Sequence, residues 1–395
     1  MRITGDQYLV KRINKSIVLK TIRSKSPISR AQISELTTLN KGTVSALVNE
    51  LIEEDLVYEI GTGQSSGGRR PVLLVYNNVA GYAIGVNLGV NYILTILTDL
   101  QGNIVQNEMI FLKDSSYEYV LSELKKSIYS MISQAPSSTK GIVGIGIGVP
   151  GIVDQNGNIL LAPNLGWKSI NLKEVISNEF RLPVIIQNEA HAGALGEQLF
   201  GIGKGFSNLI YASVGIGIGT GIIINNELYK GTSGFSGEMG HFIIEMNGKK
   251  CSCGNRGCWE LYASENALLE QAKSLSIFQS TSKTELDIDT LVDKANSGHP
   301  EVINLFNQIG EYIGIGLTNM INTFNPELII IGNRMAKAAK WICNPIHRVI
   351  ESRSLPFHRQ KLRVEFSNLG VYSCPLGASS LAISNYFTDV KVTVD

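Results

Sequence analysis

Gly237-Glu238-Met239-Gly240-His241, then nine intervening residues, then Cys251-Ser252-Cys253-Gly254-Asn255-Arg256-Gly257-Cys258-Trp259-Glu260: this is the most chemically specific stretch of the chain. It holds three of the five cysteines and a histidine. Three thiolates and one imidazole make a closed tetrahedral donor set, and that set suits structural Zn2+ on His241, Cys251, Cys253 and Cys258. Gly254 and Gly257 let the loop bend enough to bring its sulfurs onto one ion. Glu238 and Glu260 flank the ligands. A pinned loop carrying carboxylates fits the rim of a small-molecule site better than bare core. The competing reading is a set of buried free thiols, since free cysteine packs as a small hydrophobe.

Outward from this loop the chain reads as strands and helices. Tyr82–Leu88, Tyr92–Thr98 and 104–112 are apolar runs joined by turn residues, and a helix is expected over 117–133. Further strands are expected at Ile142–Val149 and 183–187, with a helix over 190–200. Leu209–Val214, a glycine-rich turn, 221–224 and a hairpin at Asn225-Asn226 then partly repeat the opening theme. Two such units predict a duplicated fold with a cleft between lobes. A helix over 301–324, a strand over 328–331 and a helix after Pro375 complete the series. Gly146-Ile147-Gly148-Val149-Pro150-Gly151 matches the dinucleotide fingerprint. It is rejected, because Pro150 and the strand-like Ile152-Val153 leave no helix beginning there.

The N-terminal 80 residues differ in charge and pattern. Met1–Ser45 carries nine Lys and Arg against Asp6 and Glu35, a local balance of +7 that leaves −6 on the remainder of a chain whose net charge is +1. Such an imbalance predicts a polyanionic partner at that end. Ile17, Val18 and Ile22 have helical spacing within 14–24, and Pro27 ends that helix. Ser29 caps a short helix over 30–36. A third helix begins at Lys41, with Val44, Leu47, Val48, Leu51 and Ile52 on one face. Lys41, Thr43, Ser45 and Asn49 point away from that stripe and are the candidate contacts to phosphates and base edges. Strands at 56–60 and Val72–Tyr76 flank a glycine-rich tip whose Arg69 and Arg70 complete a wing. The expectation is a winged helix-turn-helix, mostly α with a β wing, over residues 1–80. A three-helix interaction module with a solvated charged face is the alternative.

Two uncharged stretches, 81–98 and 205–226, are long enough to raise a membrane question. Both are broken by Gly and Asn and rich in Val, Ile and Thr, so paired buried strands are expected and no membrane association. The charged N-terminus predicts no signal peptide. Cysteines gathered for metal predict a reducing cytoplasm.

Gly85–Gly89, Gly148-Val149-Pro150-Gly151, Asn188-Glu189-Ala190-His191-Ala192, Gly215–Gly221, Gly237–His241 and the cysteine cluster together resemble the ROK family of bacterial repressors and sugar kinases. The resemblance spans Gly81 almost to the C-terminus, and the basic head resembles the repressor branch. It implies an α/β actin-like (ribonuclease H-like) two-lobed body over 81–395, with the zinc loop at 241–258. It also implies a homodimer or higher homo-oligomer, a double-stranded DNA operator, and a sugar effector, an aldose with xylose as the expected one. Sugar contacts carried over from the family fall on Asn164, Asn188, Glu189, Glu238, His241 and Glu260. Trp167 is either a stacking platform for a pyranose or ordinary core.

No catalytic residue is expected. Where the family's kinases carry an Asp in the first strand turn, this chain has Asn87, a weaker ligand for a hard cation. Their general-base Asp is replaced by Glu189, one methylene longer. Ile216 replaces a hydroxyl in the second turn, Thr220 interrupts its glycines, and a late Gly-Gly becomes Gly332-Asn333. Together these changes predict a repressor rather than an ATP-dependent sugar kinase with a DNA-binding head. A repressor answering to a protein effector fits less well, because such an effector requires no sugar site.

Overall fold

A computed structural model describes residues 7–62, 71–278 and 286–388. Arg69 and Arg70, the expected wing contacts, lie outside the described residues. Helix α1 spans Gln7–Lys25, two turns more than the apolar periodicity predicted. Val10 and Ile13 are half exposed and contribute no core stripe. The Lys11–Glu50 ion pair at 2.8 Å ties those early turns to the third helix instead. A two-residue strand β1 (Ile28–Ser29) leads into α2 (Arg30–Thr37). Ser29 and Gln32 form a reciprocal cap there: Ser29 N–H donates to Gln32 Oε1 at 3.0 Å and Gln32 N–H to Ser29 Oγ at 3.3 Å. Asn40 caps α3 (Lys41–Glu53), accepting from Thr43 N–H at 2.8 Å. Strands β2 (Val57–Thr62) and β3 (Val72–Tyr76) pair antiparallel, and β1 adds to β3.

Two five-stranded sheets follow. The first contains β4 (Tyr82–Leu88), β5 (Tyr92–Asp99), β6 (Ile104–Phe111), β7 (Ile142–Val149) and, after an excursion, β11 (Val184–Asn188). Its order is β11-β7-β4-β5-β6. Helix α4 (Tyr117–Gln134) packs on it. The excursion is a small sheet of β8 (Ile152–Val153), β9 (Ile159–Ala162) and β10 (Trp167–Ile170), followed by α5 (Leu172–Phe180). Helix α6 (Glu189–Phe200) leads to the second sheet, built from β12 (Leu209–Val214), β13 (Ile218–Ile224) and β14 (Glu227–Leu228), and later β15 (Leu328–Gly332) and β16 (Arg363–Phe366). Its order is β14-β13-β12-β15-β16. Position for position the two sheets match: an antiparallel three-strand meander, then two strands added parallel to its first member. The expected duplication is therefore present in the topology.

Between β14 and β15 come α7 (Glu260–Ala263), α8 (Glu265–Ala272), α9 (Ile288–Asn296) and α10 (Pro300–Phe324); α11 (Ala339–Arg353) and α12 (Ser373–Thr388) complete the chain. Helix α12 begins two residues before Pro375, not after it, because the first turn of a helix has no N–H partner for a proline to remove. Each lobe has its own apolar core, one around Ile84, Val86 and Ile145, the other around Ile210, Trp259 and Ile313. Large aliphatic side chains buried this fully stabilise by about 1.5–3 kcal/mol each. A third cluster crosses the expected boundary at residue 80. It joins Val18, Ile22, Val44 and Leu47 of the N-terminal helices to Ala83, Val143, Ala382 and Ile383 of the body. No described helix is long and apolar enough to cross a membrane. The stretches that raised that question form β4, β5, β12 and β13.

Candidate functional site

The loop after β14 folds back on itself through bridges pairing Ile243 with Cys258 and Lys250 with Arg256. Gly257 sits at φ 72°, and a Cβ there would lie 1.7 Å from the Glu245 carbonyl oxygen. Trp259 anchors the loop: it is fully buried, its Nε1 donates to Tyr312 O at 2.7 Å, and its ring lies over Gly316 of α10. His241, Cys251, Cys253 and Cys258 each turn one ligand atom inward, all within 4.8 Å of one another. Cys253 and Cys258 Sγ are 3.6 Å apart, and Cys251 Sγ lies 3.7 Å from His241 Nδ1. Tetrahedral zinc with ordinary bond lengths requires edges of about 3.8 Å and about 3.6 Å for those pairs. Burial pushes the Cys258 thiol well up, and the neighbouring Cys253 and Cys251 push it further. Thiols crowded this closely ionise together only around a cation, so donor chemistry and spacing both fit a metal.

The cluster forms one wall of a cleft of about 390 Å³ between the lobes. Asn164, Asn188, Glu189, Glu238, His241 and Glu260 all line it, although they come from four separate segments. Glu260 opens α7 and bridges metal site and cleft: its Oε1 accepts from Cys251 Sγ at 3.3 Å and lies 3.5 Å from His241 Nδ1. A Cβ on Gly217 would lie 3.0 Å from Glu260 Oε2 and 3.5 Å from Asn164 Nδ2, so glycine there lets the two side chains approach. Burial raises the Glu238 carboxyl, His241 opposes the shift and Glu260 adds to it.

On the facing side, Asn188 caps α6, accepting from Ala190 and His191 N–H, and its Nδ2 donates to Gly151 O at 2.9 Å. Glu189 is half-buried in the cleft wall, and burial pushes its carboxyl up to about 7. Carboxylate and amide groups converging this way offer many acceptors, the complement of a polyhydroxylated ligand.

Some cleft residues escaped the sequence reading. Asn91 and Tyr92 follow the Gly89 turn and could have been found from it. Arg334 and Glu265, 3.4 Å apart, come from remote segments with no motif. Asn333 lines the same end in a backbone conformation (φ 65°, ψ −157°) that glycine normally holds. Asn87 is buried behind the cleft wall, its Nδ2 donating to Oη of the wall residue Tyr92 at 2.8 Å. Trp167 is core and not a sugar platform: it is buried, packs edge-on against Tyr117, and its Nε1 donates to Ser115 O. The rejected glycine fingerprint indeed runs from β7 into β8 with no helix following.

At the N-terminal end, Lys41 and Asn49 of α3 are exposed and its Thr43 and Ser45 half-buried, all outside the buried stripe of Val44, Leu47, Val48 and Leu51. Arg30, not singled out from sequence, donates to Asn49 Oδ1 at 3.0 Å and pairs with Glu59 at 2.7 Å. It adds a cation to that surface.

The model of the ROK family matches residues 83–385. The chain belongs to the ROK family. It is 48% identical over 388 residues to the xylose repressor of Bacillus spizizenii, covering 98% of this chain and 99% of that protein. To the xylose repressor of Bacillus subtilis it is 47% identical, over 97% of this chain and 98% of that one. Among solved structures, a ROK family transcriptional regulator described as a homologue of the Escherichia coli MLC protein superposes with a TM-score of 0.81 at 30% identity, covering 96% and 97% of the two chains. A ROK glucokinase from Streptomyces griseus, in complex with glucose and AMPPNP, gives a TM-score of 0.71 at 27% identity over 77% of this chain and all of that one. The two-lobed body is thus the actin-like ROK body, and the highly identical full-length relatives are regulators rather than enzymes.

Proposed function

We propose that this ROK protein is a sugar-responsive transcriptional repressor, that it binds a palindromic DNA operator, and that an aldose, xylose first among them, releases it. The observation that carries this reading is the cleft. Six carboxylate, amide and imidazole side chains line it in a chain nearly half identical, end to end, to proteins named xylose repressors. Asn164, Asn188, Glu189, Glu238, His241 and Glu260 contact the sugar. His241, Cys251, Cys253 and Cys258 hold structural zinc, which fixes the orientation of His241 and of the neighbouring Glu260. No step of chemistry is assigned, and Asn87 turned onto Tyr92 supports that.

Residues 1–80 act as a winged helix-turn-helix head. Lys41, Thr43, Ser45 and Asn49 of α3 enter the major groove, and Arg69 and Arg70 reach the backbone or minor groove. Residues 81–395 form the sensing and dimerising body in the cytoplasm. Dimerisation sets two recognition helices about 34–36 Å apart over one turn of DNA. Sugar favours a closed lobe arrangement that misplaces the heads, and it acts only through its differential affinity for the two arrangements. Fluorescence anisotropy of labelled operator DNA, titrated with xylose, glucose and related sugars, tests this. Xylose is expected to weaken operator binding at least fivefold; operator affinity unmoved at saturating sugar overturns the reading.

A further inference from the structure

Helix α12 touches both ends of the proposed response. Along its first half it lies between α6 and the first sheet, packed against both. Glycines remove the side chains from these contacts. A Cβ on Gly377 would lie 1.7 Å from Ala192 O, and one on Gly196 would lie 1.9 Å from Ser373 O. On the sheet side, a Cβ on Gly85 would lie 2.0 Å from Pro375 O, and one on Gly146 would lie 1.9 Å from Ala378 O. Ser373 Oγ also donates to the buried Glu197 of α6 at 2.6 Å. Helix α6 in turn packs against β12 and β13 of the second lobe, and it carries Asn188 and Glu189 into the cleft. Helix α6 therefore joins the lobes, touching the second sheet directly and the first both directly and through its long contact with α12.

The far end of α12 reaches the head. Ala382 and Ile383 are buried, and Tyr386 and Phe387 packed, in the cluster that contains Val18, Leu19 and Ile22 of α1 and Val44, Leu47 and Leu51 of α3. From Gly377 to Phe387 is about 15 Å of continuous helix. Flexible side chains absorb small displacements by changing rotamer, whereas backbone lying on backbone transmits them.

We infer that α12 is the rod that carries cleft occupancy to the DNA-binding head. Gly377 and Gly196 are the positioning residues that couple it to α6, and Ile383 and Phe387 are those that couple it to the helices of the head. This rests on the proposed sugar-responsive reading and adds the route by which the response travels. Phe387→Ala removes a side chain that packs on the head cluster and does not line the cleft. The variant is expected to keep wild-type xylose affinity by calorimetry and wild-type operator affinity without sugar. The ratio of operator Kd with and without xylose is expected to fall from at least fivefold to below twofold. A purely structural role for Phe387 would change the sugar-free affinity and leave that ratio alone.

Hydrogen exchange on the unaltered protein provides a measurement that does not depend on the variant folding. Saturating xylose is expected to change protection at 189–200, at 376–387 and in α1 together. Protection changed at 189–200 but unchanged at 376–387, or a Phe387→Ala protein that responds as the wild type does, overturns the rod. A wild-type protein whose operator binding ignores every sugar overturns the functional reading instead.

Discussion

Replacing Glu189 with Gln separates the contribution of its charge from that of its shape. Its carboxyl is raised from 4.5 to about 7 by burial. The folded protein therefore holds this proton more firmly than the unfolded chain, and ionising the group in place opposes folding. The opposition is absent below about pH 4.5, grows as pH rises, and is complete above about pH 7. A shift of roughly 2.5 units at about 1.4 kcal/mol each corresponds to about 3 kcal/mol. Glu189→Gln relieves that cost, so the variant should match the wild type at pH 5 and exceed it at pH 8.5. For a cooperative unit of this length, about 1 °C accompanies each kcal/mol, giving a Tm gain of about 3–4 °C at the higher pH.

Sugar binding should move the other way. Hydroxyls donating to an ionised carboxylate contribute about 1.5–3 kcal/mol, so the variant should bind xylose about ten- to a hundredfold more weakly. Wild-type affinity should fall close to tenfold between pH 8 and pH 6, as the proton reoccupies the acceptor. Melting curves and calorimetry at pH 5, 7 and 8.5 read both effects. A Tm difference that ignores pH, together with a flat affinity profile, would refute the argument.

Cys258→Ser should lower bound zinc from one per chain, read by elemental analysis, and weaken xylose binding with it because Glu260 loses its fixed neighbour; full zinc content in the variant would contradict this. Lys41→Ala should weaken operator binding evenly across sequences and reduce the slope of log affinity against log salt by about one. A change confined to one base pair would place Lys41 on a base edge instead. Ser29→Ala removes the reciprocal cap of α2 and should cost about 1 kcal/mol of head stability, read by denaturant melting.

The elements that sequence alone revealed are those whose signal is local. The stripe Val44, Leu47, Val48 and Leu51 announced α3, and the four metal donors fall within one loop. The cleft carboxylates were legible through the motifs that hold them. Arg334 and Glu265 were not, because their meeting depends on long-range topology with no residue pattern of its own. Strand β1 is two residues long and exists only because β3 offers it an edge. The close packing of α12 was hidden for a different reason. A helix buried on several sides shows little contrast between faces, and its Ser, Ala and Gly residues read as bland when they are in fact close contacts. Likewise the boundary at residue 80 marks a change of composition, yet the apolar packing continues across it through Ala382 and Ile383.

Asn333 has a consequence of its own. A side chain kept where the main chain favours a hydrogen costs about 1–3 kcal/mol at every folding event. Glycine at that corner would relax the turn, and would also release the amide that Asn333 extends to Ser213 Oγ at 3.0 Å. The amide thus ties the end of β15 to β12 across the floor of the cleft's far end, and the strained turn is what holds that tie in place.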